Sequence, residues 1–265
     1  MRKSIALFSI FSLIVMFSCT LPSGVEVTKT FPINDSYYYL FVSDGMDVVV
    51  SDEVDEIVIT ADENVMEKIK VEVTSSTLRI FRRDVSIAYP NTTTVLIPFN
   101  HNLRSVEVGL DAKFSTEYGI GNPSLSSKVK VEGRGKFEGY VIAKDLDLIV
   151  RDDSEAICEY DVENKLYLEI KGGSEVTLDG YAAKVQLEMN DSKITPHWSD
   201  NYEYYAFSCY YCYGNMDYNS EAYIDCEDEL AVNITNNSTL YYTSDPDIDD
   251  CWWDESSDLI HRGGY

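Results

Sequence analysis

Cys209-Tyr210-Tyr211-Cys212 is the first place in this chain where residue types and spacing could do chemistry. A C-x-x-C pair acts as a redox couple when a preceding strand and a following helix lower a thiol pKa. Here the surroundings are β-forming and aromatic. A zinc site would need two more ligands, and Cys226, Cys251 and His197 are badly spaced for it. The expectation is therefore structural, with no metal and no cofactor: a Cys209–Cys212 disulfide, or free cysteines in a core. Gly172-Gly173-Ser174-Glu175-Val176 begins like a nucleophile elbow, but Val176 stands where its second glycine belongs. With only His101, His197 and His261 in the chain, a catalytic triad has little support. Asp245-Pro246-Asp247-Ile248-Asp249-Asp250 opens like a calcium loop. Asp250 replaces the turn glycine, however, and Ser256 replaces the bidentate glutamate, which leaves a solvated acidic turn. Arg151-Asp152-Asp153 places a possible base beside acids, as polysaccharide lyases require. The plainer reading is a solvated turn with a local ion pair. No catalytic residue is expected.

Aromatic residues are the stronger signal. Tyr202, Tyr204, Tyr205, Tyr210, Tyr211, Tyr213 and Tyr218 crowd one stretch, and Trp252-Trp253 follow near the C-terminus. Aromatic faces stack on sugars and anchor protein contacts. Tyr202, Tyr204, Tyr205, Tyr210, Tyr211, Tyr213, Trp252 and Trp253 are the candidate binding residues, for an unknown glycan or envelope protein. The competing expectation is that they seal the open end of a repeat fold.

The elements that must position these residues are written in a repeat. Leu146-Leu148-Val150 leads to Ser154, Leu166-Leu168-Ile170 to Ser174, and Val185-Leu187-Met189 to Ser192. The full series of small corner residues is Ala112, Gly135, Ser154, Ser174, Ser192, Ser220 and Ser238. An apolar residue precedes almost every corner by four: Val108, Val131, Val150, Ile170, Met216 and Ile234, with Met189 three before Ser192. Repetition at about this period marks a solenoid, and two-residue alternation within each repeat marks strands. The fold class expected is all-β, a parallel β-helix with coils of 18–23 residues in most repeats. The one competing architecture is an antiparallel β-sandwich. The longest step, Ser192 to Ser220, holds a Tyr/Cys-rich insertion at about 197–218. One short helix is expected over Asp62–Ile69, capped by Asp62, with Val65, Met66 and Ile69 on one face.

Residues 1–18 read as a lipoprotein signal peptide: Arg2 and Lys3, then an apolar core from Ile5 to Phe17, then Ser18-Cys19. The stretch VMFSC resembles a lipobox, which makes Cys19 the expected lipidation site and the membrane contact. Residues 19–35 form a tether and 36–262 the domain. With 46 acidic against 21 basic residues the formal net charge is −25, which argues against nucleic-acid binding.

Three segments resemble a known family: Val42 to Phe81 (VSDGMDVVVSDEVDEIVITADENVMEKIKVEVTSSTLRIF), the repeated Ser corners, and Leu230 to Ile248 (LAVNITNNSTLYYTSDPDI). The sequence resembles the head GIN domain family, which is named after autotransporter adhesins and is of unknown function. The resemblance implies a right-handed β-helix in the cell envelope and brings no catalytic residues. The reading is a non-enzymatic outer-membrane lipoprotein, an adhesin-like binding or structural module. The alternatives are a carbohydrate-active enzyme on the same scaffold, or a structural or signalling lipoprotein that binds another protein. No acidic run follows Cys19, which favours the periplasmic face over the cell surface.

Overall fold

The computed structural model describes residues 23–33, 35–83, 93–198, 204–205 and 207–262. Cys19, the leader and Tyr202 lie outside the described residues. The chain is an all-β solenoid of about seven turns.

Its core follows from in-register stacking of like positions. Val108, Val131, Val150, Ile170, Met189, Met216 and Ile234 form one continuous ladder of parallel register partners. Each is at most 3% exposed. Parallel neighbours share a face, so every second residue of each rung points inward and meets its counterpart one coil away. The other side of the coil is lined by Phe114, Phe137, Ala156, Val176 and Ile194. Phe114 and Phe137 stack there at 5.7 Å. The parallel register excludes the sandwich for all of residues 105–198 and 207–262 that form rungs.

The corners explain the four-residue offset. Two residues with positive φ precede the small residue at most corners: Leu110-Asp111, Gly133-Arg134, Asp152-Asp153, Gly172-Gly173, Tyr218-Asn219 and Asn236-Asn237. Before Ser192 only Asp191 has positive φ, which is why Met189 sits three residues away. The serines are buried, and all but the Ser154 hydroxyl are hydrogen-bonded. The Ser154 and Ser220 amides donate to the hydroxyls of Ser174 and Ser238, each at 3.2 Å. Ser174 Oγ donates to the Lys171 carbonyl at 2.8 Å. A hydroxyl can serve a neighbouring coil's amide where alanine would leave it orphaned. The series continues at Ser257, whose hydroxyl accepts the Ser238 amide at 3.3 Å.

Antiparallel strands close the N-terminal end. Glu26–Phe31 pairs with Ile57–Asp62, which pairs with Thr93–Pro98, and Ile69–Thr74 pairs with Thr77–Arg82. The helix is a single turn, Glu63–Met66, shorter than expected because Ile69 already opens a strand. Asp62 caps it by accepting the Asn64 amide at 3.0 Å. Tyr242, Ile248, Cys251 and Leu259 pack against the core at the other end.

Candidate functional site

The expected insertion is narrower than 197–218. Lys193–Trp198 still follows the preceding rung, and Phe207–Asp217 is a regular rung in register with Tyr181–Asn190. Among the described residues between them, His197 pairs with Tyr205 and Trp198 with Tyr204 in a short antiparallel pairing outside the parallel rungs. Tyr211 and Tyr213 therefore stand on the solenoid wall itself.

Alternation on Phe207–Asp217 turns Cys212 and Met216 inward and Tyr211, Tyr213 and Asn215 outward. Stacking then sets their neighbours. Lys165, Lys184, Tyr211 and Glu229 form one outward ladder across four coils. Tyr167, Gln186, Tyr213 and Ala231 form the next. Glu188, Asn215, Asn233 and Trp252 form a third. Asn233 Nδ2 donates to Asn215 Oδ1 at 3.1 Å, and Asn215 Nδ2 donates to Glu188.

The methyl group of Ala231 beside two phenol rings makes a step in the wall. A surface concavity of about 410 Å³ opens there, lined by Lys184, Tyr211, Cys212, Tyr213, Glu229 and Ala231. Lys184 Nζ lies 5.9 Å from the centre of the Tyr211 ring, and Lys165 Nζ lies 5.9 Å from that of Tyr213. Both lysines thus lean along the axis towards the tyrosines. A hydrogen bond to Asp228 raises the Tyr211 hydroxyl above its ordinary pKa, so it stays protonated at neutral pH. The dish offers two ring faces, the Lys184 ammonium and the Glu229 carboxylate, and Lys165 stands beside it near the Tyr213 ring. It can stack a planar or saturated ring and hydrogen-bond its substituents.

The other candidates divide. Trp252 is 56% exposed and shares the outward face of Asn233, which brings it towards the dish. Trp253 is in register with inward-facing Ile234, at the open end of the core ladder, and keeps 45% of its surface exposed. Tyr210 sits at a bulge between Cys209 and Tyr211 and turns its ring edge-on to Tyr181, 5.5 Å away. Tyr204 and Tyr205 are strand residues of the short antiparallel pair.

Sequence reading missed Lys165, Lys184, Glu229 and Ala231. The charged residues look like ordinary surface until the coil register aligns them. It also missed a second stack on the opposite wall, where Tyr223 and Tyr241 lie parallel at 4.5 Å and Arg262 covers Tyr241 at 4.2 Å.

All five cysteines of the described residues are free, so of the two structural options for Cys209 and Cys212 the structure holds free core cysteines. Cys209 is in register with Cys226. The hydrogen bond that the Cys209 thiol donates to Cys212, and then burial, push Cys209 up, and the bond to Cys209 and burial do the same to Cys226. Burial, and then the nearby Glu159 charge, take Cys158 to about 12. Redox catalysis needs the opposite shift. Among the described residues no group of three or more histidines, cysteines and acids could hold a metal ion. In the acidic turn, Asp247 accepts the Asp249 amide at 2.9 Å.

Arg151 is engaged with the next coil. Its Nη2 donates to Glu169 Oε1 at 2.5 Å, and Glu169 also takes Lys171 at 2.9 Å and the Tyr167 hydroxyl at 3.0 Å. Burial pushes the Glu169 carboxyl up, but the bonds from Lys171, Arg151 and Tyr167 outweigh it and hold it down. Tyr167 goes to about 12 through burial and its bond to Glu169. Neither group is poised to take a proton at neutral pH.

Among the described residues no helix is long and apolar enough to cross a membrane. No curated protein matches the sequence. Solved structures share the fold, three of them as follows. One is described as a "putative adhesin" from Parabacteroides distasonis, with a TM-score of 0.72 and 16% identity over 92% of this chain and 97% of its own. A second, with the same description, comes from Parabacteroides merdae (TM-score 0.72, 16% identity, 92% of this chain and 96% of its own). The third is described as a "putative lipid binding protein" from Parabacteroides distasonis (TM-score 0.69, 16% identity, 91% and 98%). Residues 37–195 match the family model "Putative auto-transporter adhesin, head GIN domain", which spans more than half of the 265 residues, and the chain belongs to that family.

Proposed function

We propose that this protein is a non-enzymatic, adhesin-like binding module of the bacterial envelope, lipid-anchored through Cys19 at the outer membrane on its periplasmic face, and that its ligand is a glycan. The observation that carries the reading is the dish on regular rungs, where Tyr211 and Tyr213 remain 37% and 38% exposed over Ala231. Rings kept partly in water on a rigid sheet lose little entropy when they stack on a sugar. The lining also supplies donors and acceptors for hydroxyl groups, in Lys184, Tyr211 and Glu229. An acyl chain would instead require an apolar cavity, which this rim does not offer. The engaged state of Arg151 supports the non-enzymatic reading over a lyase.

The exposed pair Trp252-Trp253 favours a second reading, contact with an envelope protein, because exposed tryptophans anchor interfaces. A glycan microarray probed with the full chain separates the two. Binding that disappears in Tyr211→Ala/Tyr213→Ala and survives in Trp252→Ala/Trp253→Ala supports the glycan dish. No glycan bound, together with tryptophan-dependent cross-linking to one envelope protein, overturns it in favour of the second.

A further inference from the structure

The two lysines at the dish specify its ligand further. Lys165 and Lys184 are register partners on neighbouring coils, so their backbones stand ~4.8 Å apart. Like charges directly opposite one another destabilise a sheet. Several basic side chains elsewhere on the solenoid wall are matched to acids: Lys130 with Glu107 and Glu132, Lys136 with Glu155, Lys171 with Glu169, and Lys193 with Glu221. Among the described residues neither Lys165 nor Lys184 forms such a pair, in a chain with 46 acidic residues. Lys165 instead donates to the uncharged Gln186 Oε1 at 2.6 Å. That leaves its ammonium two further donors, and both lysines lean over tyrosine rings at the mouth of the dish.

Resting on the glycan reading above, we propose that the dish takes a sugar residue that bears one carboxylate, a uronic-acid-type pyranose. The ring lies on Tyr213 in the step made by Ala231. The carboxylate faces the ammonium groups of Lys165 and Lys184, and the hydroxyl groups face Glu229 and Tyr211. The dish volume of about 410 Å³ is at the small end of ligand sites and fits a short saccharide end rather than a peptide. Glu229 on the far wall rejects a second anionic group, and the net charge of −25 opposes highly charged polymers. Close to the dish the two lysines act beside Glu229 and the Asp228 carboxylate bonded to Tyr211, and only the more distant carboxylates are screened beyond ~8 Å at physiological salt.

The test compares a glucuronate-terminated oligosaccharide with its glucose-terminated, carboxyl-free counterpart, by calorimetry on the full chain. Wild type is expected to prefer the glucuronate by about tenfold or more, as a charge-assisted hydrogen bond implies. Lys165→Gln/Lys184→Gln should bind both sugars alike, at the level of the neutral one. Tyr213→Ala should lose both. Melting curves of each variant, unchanged from wild type, show that the solenoid is intact. Equal binding of both sugars by wild type, unmoved in the lysine double variant, overturns the carboxylate and leaves the glycan reading standing. Binding of neither sugar, alongside an unresponsive microarray, overturns both. Competition by inorganic phosphate at the same concentration as glucuronate would reduce the site to a general anion site and end the proposal.

Discussion

Replacing Gly214 by alanine tests how the wall holds Tyr213 in place. Gly214 lies between Tyr213 and Asn215, in register with Leu187, with φ +147°. A Cβ there would fall inside the van der Waals envelope of the Leu187 carbonyl oxygen, 2.8 Å from its carbon and 2.9 Å from its nitrogen. All three are backbone atoms, so no side chain can swing away; the rung itself must retreat by about 1 Å. Two costs add. A non-glycine residue at positive φ costs ~1–2 kcal/mol. Retreat of the rung leaves one or two buried backbone groups unpaired, at ~1–3 kcal/mol each. The expected loss is about 2–8 kcal/mol. Gly109→Ala is the control, since no atom lies within 4 Å of its Cβ and its φ is ordinary. Urea unfolding is the assay. With a slope of about 2–3 kcal/mol per molar, the Gly214→Ala midpoint should fall by at least ~0.7 M below the control, and ligand binding at Tyr213 should weaken with it. Equal midpoints for the two variants would refute close rung contact at this position.

Other perturbations probe the remaining parts. Ile170→Asp puts a charge into a ladder that is 0% exposed and should cost several kcal/mol, whereas exposed Glu175→Ala should stay within about 0.5 kcal/mol in the same melt. Cys19→Ala should release the protein from membranes and abolish labelling by a fatty-acid analogue; unchanged retention would reject the anchor. Asp254 is held at about 2 by the Asn236 amide, then by Ser257 and Ser256. Its folded pKa lies below the unfolded value of ~3.9, so its contribution is complete above pH ~4 and vanishes as pH falls through about 2. Fluorescence of the neighbouring Trp252 and Trp253 should change across that window, and Asp254→Asn should lack the step.

The sequence by itself determined the solenoid. Corner serines and the apolar residue four before them are local, and in-register parallel stacking turns a one-dimensional period directly into a three-dimensional ladder. Even the irregular Met189 step was visible, as one turn residue fewer before Ser192. The family resemblance was legible for the same reason, since pattern over length is what it rests on. The leader and the Cys19 anchor are expectations from sequence order and lie outside the described residues. The helix over Asp62–Ile69 was only half right, because Ile69 pairs with Arg82 in a strand and tertiary pairing overrides local periodicity there.

Only the tertiary structure decided which aromatics form a site. Tyr210, Tyr211 and Tyr213 are near neighbours in sequence, yet Tyr210 lies opposite a register shift with its ring edge-on to Tyr181, while Tyr211 and Tyr213 share one outward face. Trp252 and Trp253 are adjacent, yet alternation sends one to the outward ladder and the other to the end of the core ladder. Lys165, Lys184, Tyr211 and Glu229 are separated by 18 to 27 residues and become a row because each coil returns to the same place. Their alignment depends on the exact length of every turn between them, including the excursion that ends at Phe207. Periodicity states that rungs repeat; the register that brings four particular side chains together is settled only when the coils close.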